Sequence, residues 1–158
     1  MTGATVREDR PAVEWALLIA RVVVGGIFAA HGAQLVFGAF GGPGIAAMGQ
    51  MMGPIGYLVA IGQFFGGLGI AVGFLSRFSA ASLIVIMIGA IAMVHAKNGF
   101  FLMDAQHPDP QKVGFEYNVA LIGLLAPILI AGPGCLSIGR FLPLPGVKDT
   151  GRPILPIE

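Results

Sequence analysis

The sequence predicts an all-α, integral membrane protein built as a four-helix bundle. Hydrophobic residues make up 56% of the chain and charged residues only 11%, whereas a soluble domain carries roughly 25% charged residues. The hydrophobic residues also fall into four long runs. Each run is close to the ~20 residues that a helix needs to cross a bilayer. A chain of 158 residues therefore has room for four crossings in one domain.

Turn-forming residues set the expected bounds of these runs. Glu14 suits the first turn of the first helix, where the helix dipole favours an acidic group. A turn containing Ser76 and Arg77 is expected to join the second and third runs as an antiparallel hairpin. Pro127 is expected to break the fourth run, since proline lacks the backbone N–H. The predicted membrane-spanning segments are 13–37, 54–75, 78–96 and 115–132.

Two segments between the runs have different characters. Residues 38–53 carry no charge, so we expect them to lie in the membrane interface or to re-enter the bilayer as a short helix. Residues 97–114 contain the stretch HPDPQK, which is rich in turn formers, and we expect a solvated loop.

The distribution of basic residues predicts the orientation in the membrane. One side of the predicted bundle holds most of the Lys and Arg residues, and the other side holds Lys97 and Lys112. The positive-inside rule therefore predicts a multi-pass protein of the inner (plasma) membrane with both termini in the cytoplasm. The basic side consists of Arg7, Arg10, Arg77, Arg140, Lys148 and Arg152.

The predicted domains follow from these assignments. Residues 1–12 form a cytoplasmic N-terminal tail, 13–133 the transmembrane domain, and 134–158 a Pro-rich cytoplasmic C-terminal tail. The first apolar run imitates a signal peptide but is longer than a typical hydrophobic region of one, so we expect it to be retained.

Charge and cysteine content exclude two classes of function. The net charge is +1 and the basic residues are dispersed, so nucleic acid is not expected as a partner. Cys135 is the only cysteine, which rules out an internal disulfide or dithiol relay.

Glycine is unusually frequent, at 25 residues, and part of it forms a helical stripe. Small residues let helices approach closely in lipid. We therefore expect a neighbouring helix to pack against the stripe, which consists of Gly62, Gly66, Gly69 and Gly73.

Ionisable and amide side chains inside the apolar runs are the candidate functional residues, because such groups are costly in a bilayer. Arg21 shares a helical face with Gly25 and Gly32, so we expect it to face the bundle and not to reach toward the interface. Other polar groups, from all four helices, are expected to converge in the outer half of the bundle. They are His31, Gln34, Gln63, His95, Glu116 and Tyr117.

Such a pocket suits a quinone. Histidine and carboxylate groups near water can exchange protons, and amide or phenol groups can hydrogen-bond the ring oxygens. His31 and His95 could instead ligate a haem. We favour quinone, because no other part of the sequence resembles a haem-packing pattern. No closely spaced ligand pair suggests a metal site.

Several motifs resemble the DoxX-like family. Arg21, Gly25, His31 and Gly32 form the pattern R-x3-G-x5-H-G, which is similar to the first-helix signature of that family. The stretches VHAKNGFF, GFEYN and GPGCLSIGRFLP follow in the family's order, so the resemblance covers about residues 14–142. Two positions depart from it: Gln34 stands where many members carry lysine, and Gln63 where many carry glutamate.

The resemblance implies a membrane redox subunit, similar to the membrane subunit of thiosulfate:quinone oxidoreductase. Electrons would pass from a reduced sulfur compound or a partner protein to quinone. The implied partners are the lipid bilayer and other subunits of a membrane complex, or further copies of the chain. A non-catalytic scaffold subunit is the alternative. The expected catalytic residues are His31, His95 and Glu116, and the expected cofactor-binding residues are Arg21, Gln34, Gln63 and Tyr117.

Overall fold

The computed structural model describes residues 10–102, 113–134 and 136–140, and this part of the chain is helical with no strand. Both predicted tails lie largely outside the described residues, as do Cys135 and most of the predicted polar loop. The five α-helices are α1 (Arg10–Phe37), α2 (Gly44–Met52), α3 (Pro54–Val72), α4 (Ser76–Ala90) and α5 (Glu116–Ala131).

Shorter turns extend or follow these helices. A π-helical turn, Ile91–His95, and a 3-10 turn, Ala96–Asn98, continue α4. Further 3-10 turns lie at Ala39–Gly41, after α1, and at Ile138–Arg140, after α5.

Four of the helices close into a bundle around one apolar core. α1 packs against α3, α3 against α4, α4 against α5, and α5 against α1. α2 is short and lies against α1 and α3. The core cluster consists of Val24, Phe28, Ile70, Ala80, Leu83, Met87, Leu121, Leu125 and Ile128.

The predicted all-α membrane bundle is confirmed. Three described helical stretches are long and apolar enough to cross a bilayer: Pro11–Phe37, Pro54–Val72 and Ser76–Asn98. α5 is apolar but has 16 residues, which gives a length of ~24 Å. Many large hydrophobic side chains face outward, with Leu58, Val85 and Phe78 between 68% and 71% exposed. Lipid contact accounts for such a surface, and the protein is a membrane protein.

Three details of the sequence-based prediction were wrong. α1 begins at Arg10, so Glu14 lies beyond its first turn, which contains no acidic residue. Ser76 and Arg77 belong to α4 and not to the preceding turn, because Gly73 ends α3 at φ 78 and Leu75 turns the chain at φ 48. α5 runs through Pro127 without a break. The proline ring would press on the carbonyl of the residue four positions earlier. That residue is Gly123, where an added Cβ would meet nothing within 4 Å, so no neighbouring side chain crowds this position.

Three residues of the glycine stripe, Gly62, Gly66 and Gly69, pack against α4 as predicted, whereas Gly73 lies after α3 and faces Ser137 and Arg21. A second glycine contact lies beside the stripe. Gly62 and Gly66 face Ile86 and Leu83 of α4. On the other side of α3, Gly67 meets the backbone of α1 near Gly25: a methyl group added at Gly67 would lie 2.8 Å from the Gly25 carbonyl oxygen. Glycine therefore lets the backbones of α1 and α3 approach each other closely at this point.

Candidate functional site

Polar groups occupy both ends of the bundle, and we name the ends by them. The Arg21 end is where α1 and α4 begin and α3 and α5 end. The His31 end is the opposite one, where α3 and α5 begin. Arg21 and His31 lie ten positions apart in α1, which corresponds to ~15 Å along the helix axis. They therefore belong to different layers of the bundle.

Arg21 holds the chain that follows α5. Its side chain is 3% exposed and faces the protein, which confirms the predicted orientation. Nη1 donates a hydrogen bond to the Pro133 carbonyl at 2.7 Å, and Nη2 donates to the Leu136 carbonyl. These carbonyls lie between the end of α5 and the 3-10 turn Ile138–Arg140, beyond the regular helical hydrogen bonds of α5. The guanidinium therefore ties the end of α5 to α1.

Arg77 makes a second contact of the same kind. Its Nη2 donates to the Ile130 carbonyl in the last turn of α5 at 3.3 Å. A cation suits this position because the helix dipole leaves partial negative charge at the C-terminal end. At the Arg21 end, two arginine side chains thus donate hydrogen bonds to backbone carbonyls at or after the end of α5.

Three predicted site residues meet at the His31 end, on the α1–α5 contact. His31 Nδ1 lies 3.1 Å from Gln34 Oε1, one helical turn away. The His31 and Tyr117 rings meet edge to face, with centroids 6.5 Å apart. Both His31 and Tyr117 are exposed at the surface of the bundle. We call these three residues the His31 cluster; it can accept or donate hydrogen bonds and exchange protons.

His95 lies in a different contact. Its Nδ1 is 2.9 Å from the Val113 carbonyl oxygen, and Asn98 Nδ2 donates to the same oxygen at 3.1 Å. A carbonyl only accepts hydrogen bonds, so His95 Nδ1 carries the hydrogen. His95 therefore joins the end of the α4 extension to residues 113–115, which lead into α5.

Glu116 opens α5 beside this contact. It is half-buried in the first turn of the helix, and its backbone N–H donates to the Phe100 carbonyl at 2.8 Å. An acidic side chain suits a helix N-terminus because of the helix dipole. Within the described part of the chain, no hydrogen bond or ring contact joins Glu116 or His95 to the His31 cluster.

Gln63 lies in a groove between α3 and α4. The groove has a volume of ≈ 790 Å³, within the ~300–1,000 Å³ that is typical of small-molecule sites. Gln63 and Ser82 are the polar side chains among its lining residues, and none of the lining residues described is charged. The walls are mainly Ile55, Leu58, Val85, Ile86, Met93 and Val94.

A smaller cavity of ≈ 420 Å³ continues along the same helix pair toward the Arg21 end. It shares four lining residues with the groove around Gln63: Ile61, Gly62, Phe78 and Ser82. The α3–α4 surface is therefore concave over much of its length, which is the shape that an elongated apolar molecule requires.

Of the predicted site residues, the structure thus shows contacts of His31 with Gln34 and with Tyr117, and it places the others in different contacts. Asn98, Met93 and Val94 were missed by the sequence analysis. Asn98 follows His95 by three positions on the same helical surface, which is a signal that could have linked the two. Nothing in the pattern of Met93 and Val94 distinguishes a groove wall from ordinary lipid-facing residues.

One amide lies inside the core. Asn118 is 6% exposed, and its Nδ2 lies 3.4 Å from Met87 Sδ, to which it donates. Among the described residues, no group of three or more His, Cys, Asp or Glu side chains is placed to hold a metal ion.

Comparison with known proteins identifies the family. The DoxX family model matches residues 16–96, from the seventh residue of α1 to Ala96, which directly follows the π-helical turn. No curated protein and no solved structure matched the chain. Arg21, His31, Gln63 and His95 lie inside the matched range, whereas Glu116 and Tyr117 lie after it. Because the match covers just over half of the chain, the protein belongs to the DoxX family.

Proposed function

We propose that this protein is a membrane redox subunit that binds quinone in the α3–α4 groove, with the Gln63 amide at the quinone ring. The observation that carries the proposal is the groove itself. It is apolar, it has the volume of a small-molecule site, and it holds one carboxamide. The amide can donate a hydrogen bond to a ring carbonyl of the quinone and accept one from a quinol hydroxyl.

The depth of Gln63 favours a neutral ligand of this kind. Gln63 follows the first residue of α3, Pro54, by nine positions, or ~14 Å along the axis. The hydrocarbon core of a bilayer is ~30 Å thick, so Gln63 lies near its middle. The head group of a phospholipid stays at the surface and would present only acyl chain to the amide. A quinone carries its polar oxygens into the apolar layer.

The reaction needs groups that the groove does not contain. Reduction of a quinone to a quinol takes two electrons and two protons. In this proposal a reduced sulfur compound or a partner protein supplies the electrons. Of the three expected catalytic residues, His31 and Glu116 are the proposed sites of proton exchange with water, since Gln63 cannot transfer a proton by acid–base chemistry. His95 is hydrogen-bonded to the Val113 carbonyl through Nδ1. Gln34, Tyr117 and Arg21 do not line the groove, and a direct contact of theirs with the cofactor is not part of the proposal.

The proposal also includes the placement in the cell. The distribution of Lys and Arg supports a cytoplasmic Arg21 end in the inner membrane. The His31 end then faces the outside of the cell or the periplasm, where a sulfur donor or a partner protein would meet it.

Replacement of Gln63 by leucine tests the proposal. The variant Gln63→Leu keeps the size of the side chain and removes one hydrogen bond, worth about 0.5–1.5 kcal/mol. We expect a quinone affinity about threefold to tenfold lower. The measurement is equilibrium binding of a short-tailed benzoquinone to the protein in lipid nanodiscs.

A matched substitution serves as the control. Gln50→Leu makes the same change at an exposed position of α2, outside the groove, and should bind quinone like the native protein. Equal affinities of native protein and Gln63→Leu would contradict the placement of the ring at Gln63. Native protein that binds no quinone and copurifies with stoichiometric partners would support the scaffold alternative instead.

A further inference from the structure

The helix that forms one wall of the groove changes type beside it. α4 ends at Ala90, and the π-helical turn Ile91–His95 follows. In that turn the Ala96 N–H bonds to the Ile91 carbonyl, five residues earlier. Met93 and Val94 of the same turn line the groove and are 55% and 42% exposed. The π-helical turn therefore sets the shape of the groove at the His31 end.

A π-helical turn is rare and persists where its surroundings hold it, often at functional sites. Return to a regular α-helix would rotate one end of the segment relative to the other by ~100°, the rotation per residue. Leu83 and Met87 fix the preceding part of α4 in the core. Because Leu83 and Met87 are fixed, the residues that follow Met87 would rotate. This rotation would move Met93 and Val94 out of the groove wall.

The contacts that hold this turn come from the chain before α5. His95 and Asn98 share the Val113 carbonyl, at 2.9 and 3.1 Å. Backbone hydrogen bonds join the same two segments: Gly114, Phe115 and Glu116 donate to the carbonyls of Phe101, Gly99 and Phe100. His95 and Asn98 thus add two side-chain hydrogen bonds to the backbone contacts between the α4 extension and the start of α5.

We infer that His95 and Asn98 are positioning residues that hold the π-helical wall of the groove through Val113, so that His95 acts on ligand binding without touching the ligand. This inference rests on the proposed function for its effect on quinone. The hydrogen bonds of His95 and Asn98 to Val113 lie within the protein and do not require a bound ligand.

Three substitutions separate positioning from proton transfer. His95→Ala and Asn98→Ala each remove one hydrogen bond to Val113, so both should weaken quinone binding severalfold. His95→Gln retains an N–H donor but cannot transfer a proton, and it should restore most of the affinity and of the turnover. A proton-transfer role for His95 predicts the reverse: His95→Gln as defective as His95→Ala, and Asn98→Ala normal. That result would overturn the inference.

A second measurement needs no quinone. Val94→Cys is introduced into a Cys135→Ser background, so that it is the only cysteine, and its rate of reaction with a membrane-soluble maleimide reports the groove wall. We expect His95→Ala and Asn98→Ala to change this rate severalfold. Lys97→Ala, an exposed neighbour on the same turn, should leave it unchanged.

The two measurements fail differently. An unchanged labelling rate in both His95→Ala and Asn98→Ala would overturn the inference, whether or not quinone binds. A native protein that binds no quinone would contradict the proposed function, and the labelling rates would still decide whether His95 and Asn98 hold the wall.

Discussion

Arg21 shows how a single residue in the membrane acquires a role that its position only partly predicts. Its depth in the first apolar run and the glycines on its face predicted that it would point into the bundle, and it does. Its partners are backbone carbonyls beyond α5, more than a hundred residues away. Sequence spacing cannot reveal such partners, since they depend on how the last segment folds back. The contact with a cofactor stays a prediction for Arg21.

Removal of the Arg21 side chain should destabilise the protein strongly. Arg21→Ala leaves two carbonyls without their donor, and hydrogen bonds from charged groups are worth about 1.5–3 kcal/mol each. We expect the free energy of unfolding to fall by about 3 kcal/mol or more. Denaturation in mixed detergent micelles measures it. Lys97→Ala, exposed at the other end of the molecule, is the control and should change stability little; similar losses in both variants would count against a role of the Arg21 contacts.

For the individual helices, the sequence predicted the bounds well, but it predicted the contacts between helices only in part. The apolar runs end at glycine and proline, so the bounds of α1, α3 and α5 were predicted to within a few residues. The change of helix type at Ile91 was not predicted, because a π-helical turn depends on contacts from another segment and has no periodicity of its own. The α4 wall of the groove is therefore a tertiary feature.

The contact between α1 and α3 offers a test at this scale. Gly67→Ala would place a methyl group 2.8 Å from the Gly25 carbonyl oxygen, so the two helices would have to move apart. We expect a loss of about 1–3 kcal/mol in the free energy of unfolding, the usual range for overpacking.

Gly26 is the matched control for that contact. It lies next to Gly25 on α1, and a methyl group there would meet nothing within 4 Å. Gly26→Ala should leave stability unchanged or raise it slightly, since alanine favours helix more than glycine does. Equal effects of Gly26→Ala and Gly67→Ala would show that helix propensity, and not the close approach, determines the result.

For the whole molecule, composition and the apolar runs correctly predicted a membrane protein with a helical bundle. The polar residues alone did not predict which of them contact one another. From the sequence we expected one shared pocket. Among the described residues, His31 contacts Gln34 and Tyr117, whereas no hydrogen bond or ring contact links this cluster to His95, Gln63 or Arg21. The reason is rotational: the packing of each helix on its neighbours decides which face it turns inward. Close contacts at glycines such as Gly25 and Gly67 determine how the helices pack. The positions of a few polar residues in the sequence do not reveal this packing.

Blocking the groove tests the central claim, that quinone binds between α3 and α4. Gly89 lines the groove, and a Cβ added there would meet only the Met93 Cε, at 3.8 Å. Gly89→Leu should therefore fill the groove without disturbing the packing. Gly26→Leu makes the same change in open space on α1. The decisive measurement is quinone binding to both variants in nanodiscs. We expect loss of binding in Gly89→Leu and native affinity in Gly26→Leu, and native affinity in a folded Gly89→Leu would contradict binding between α3 and α4.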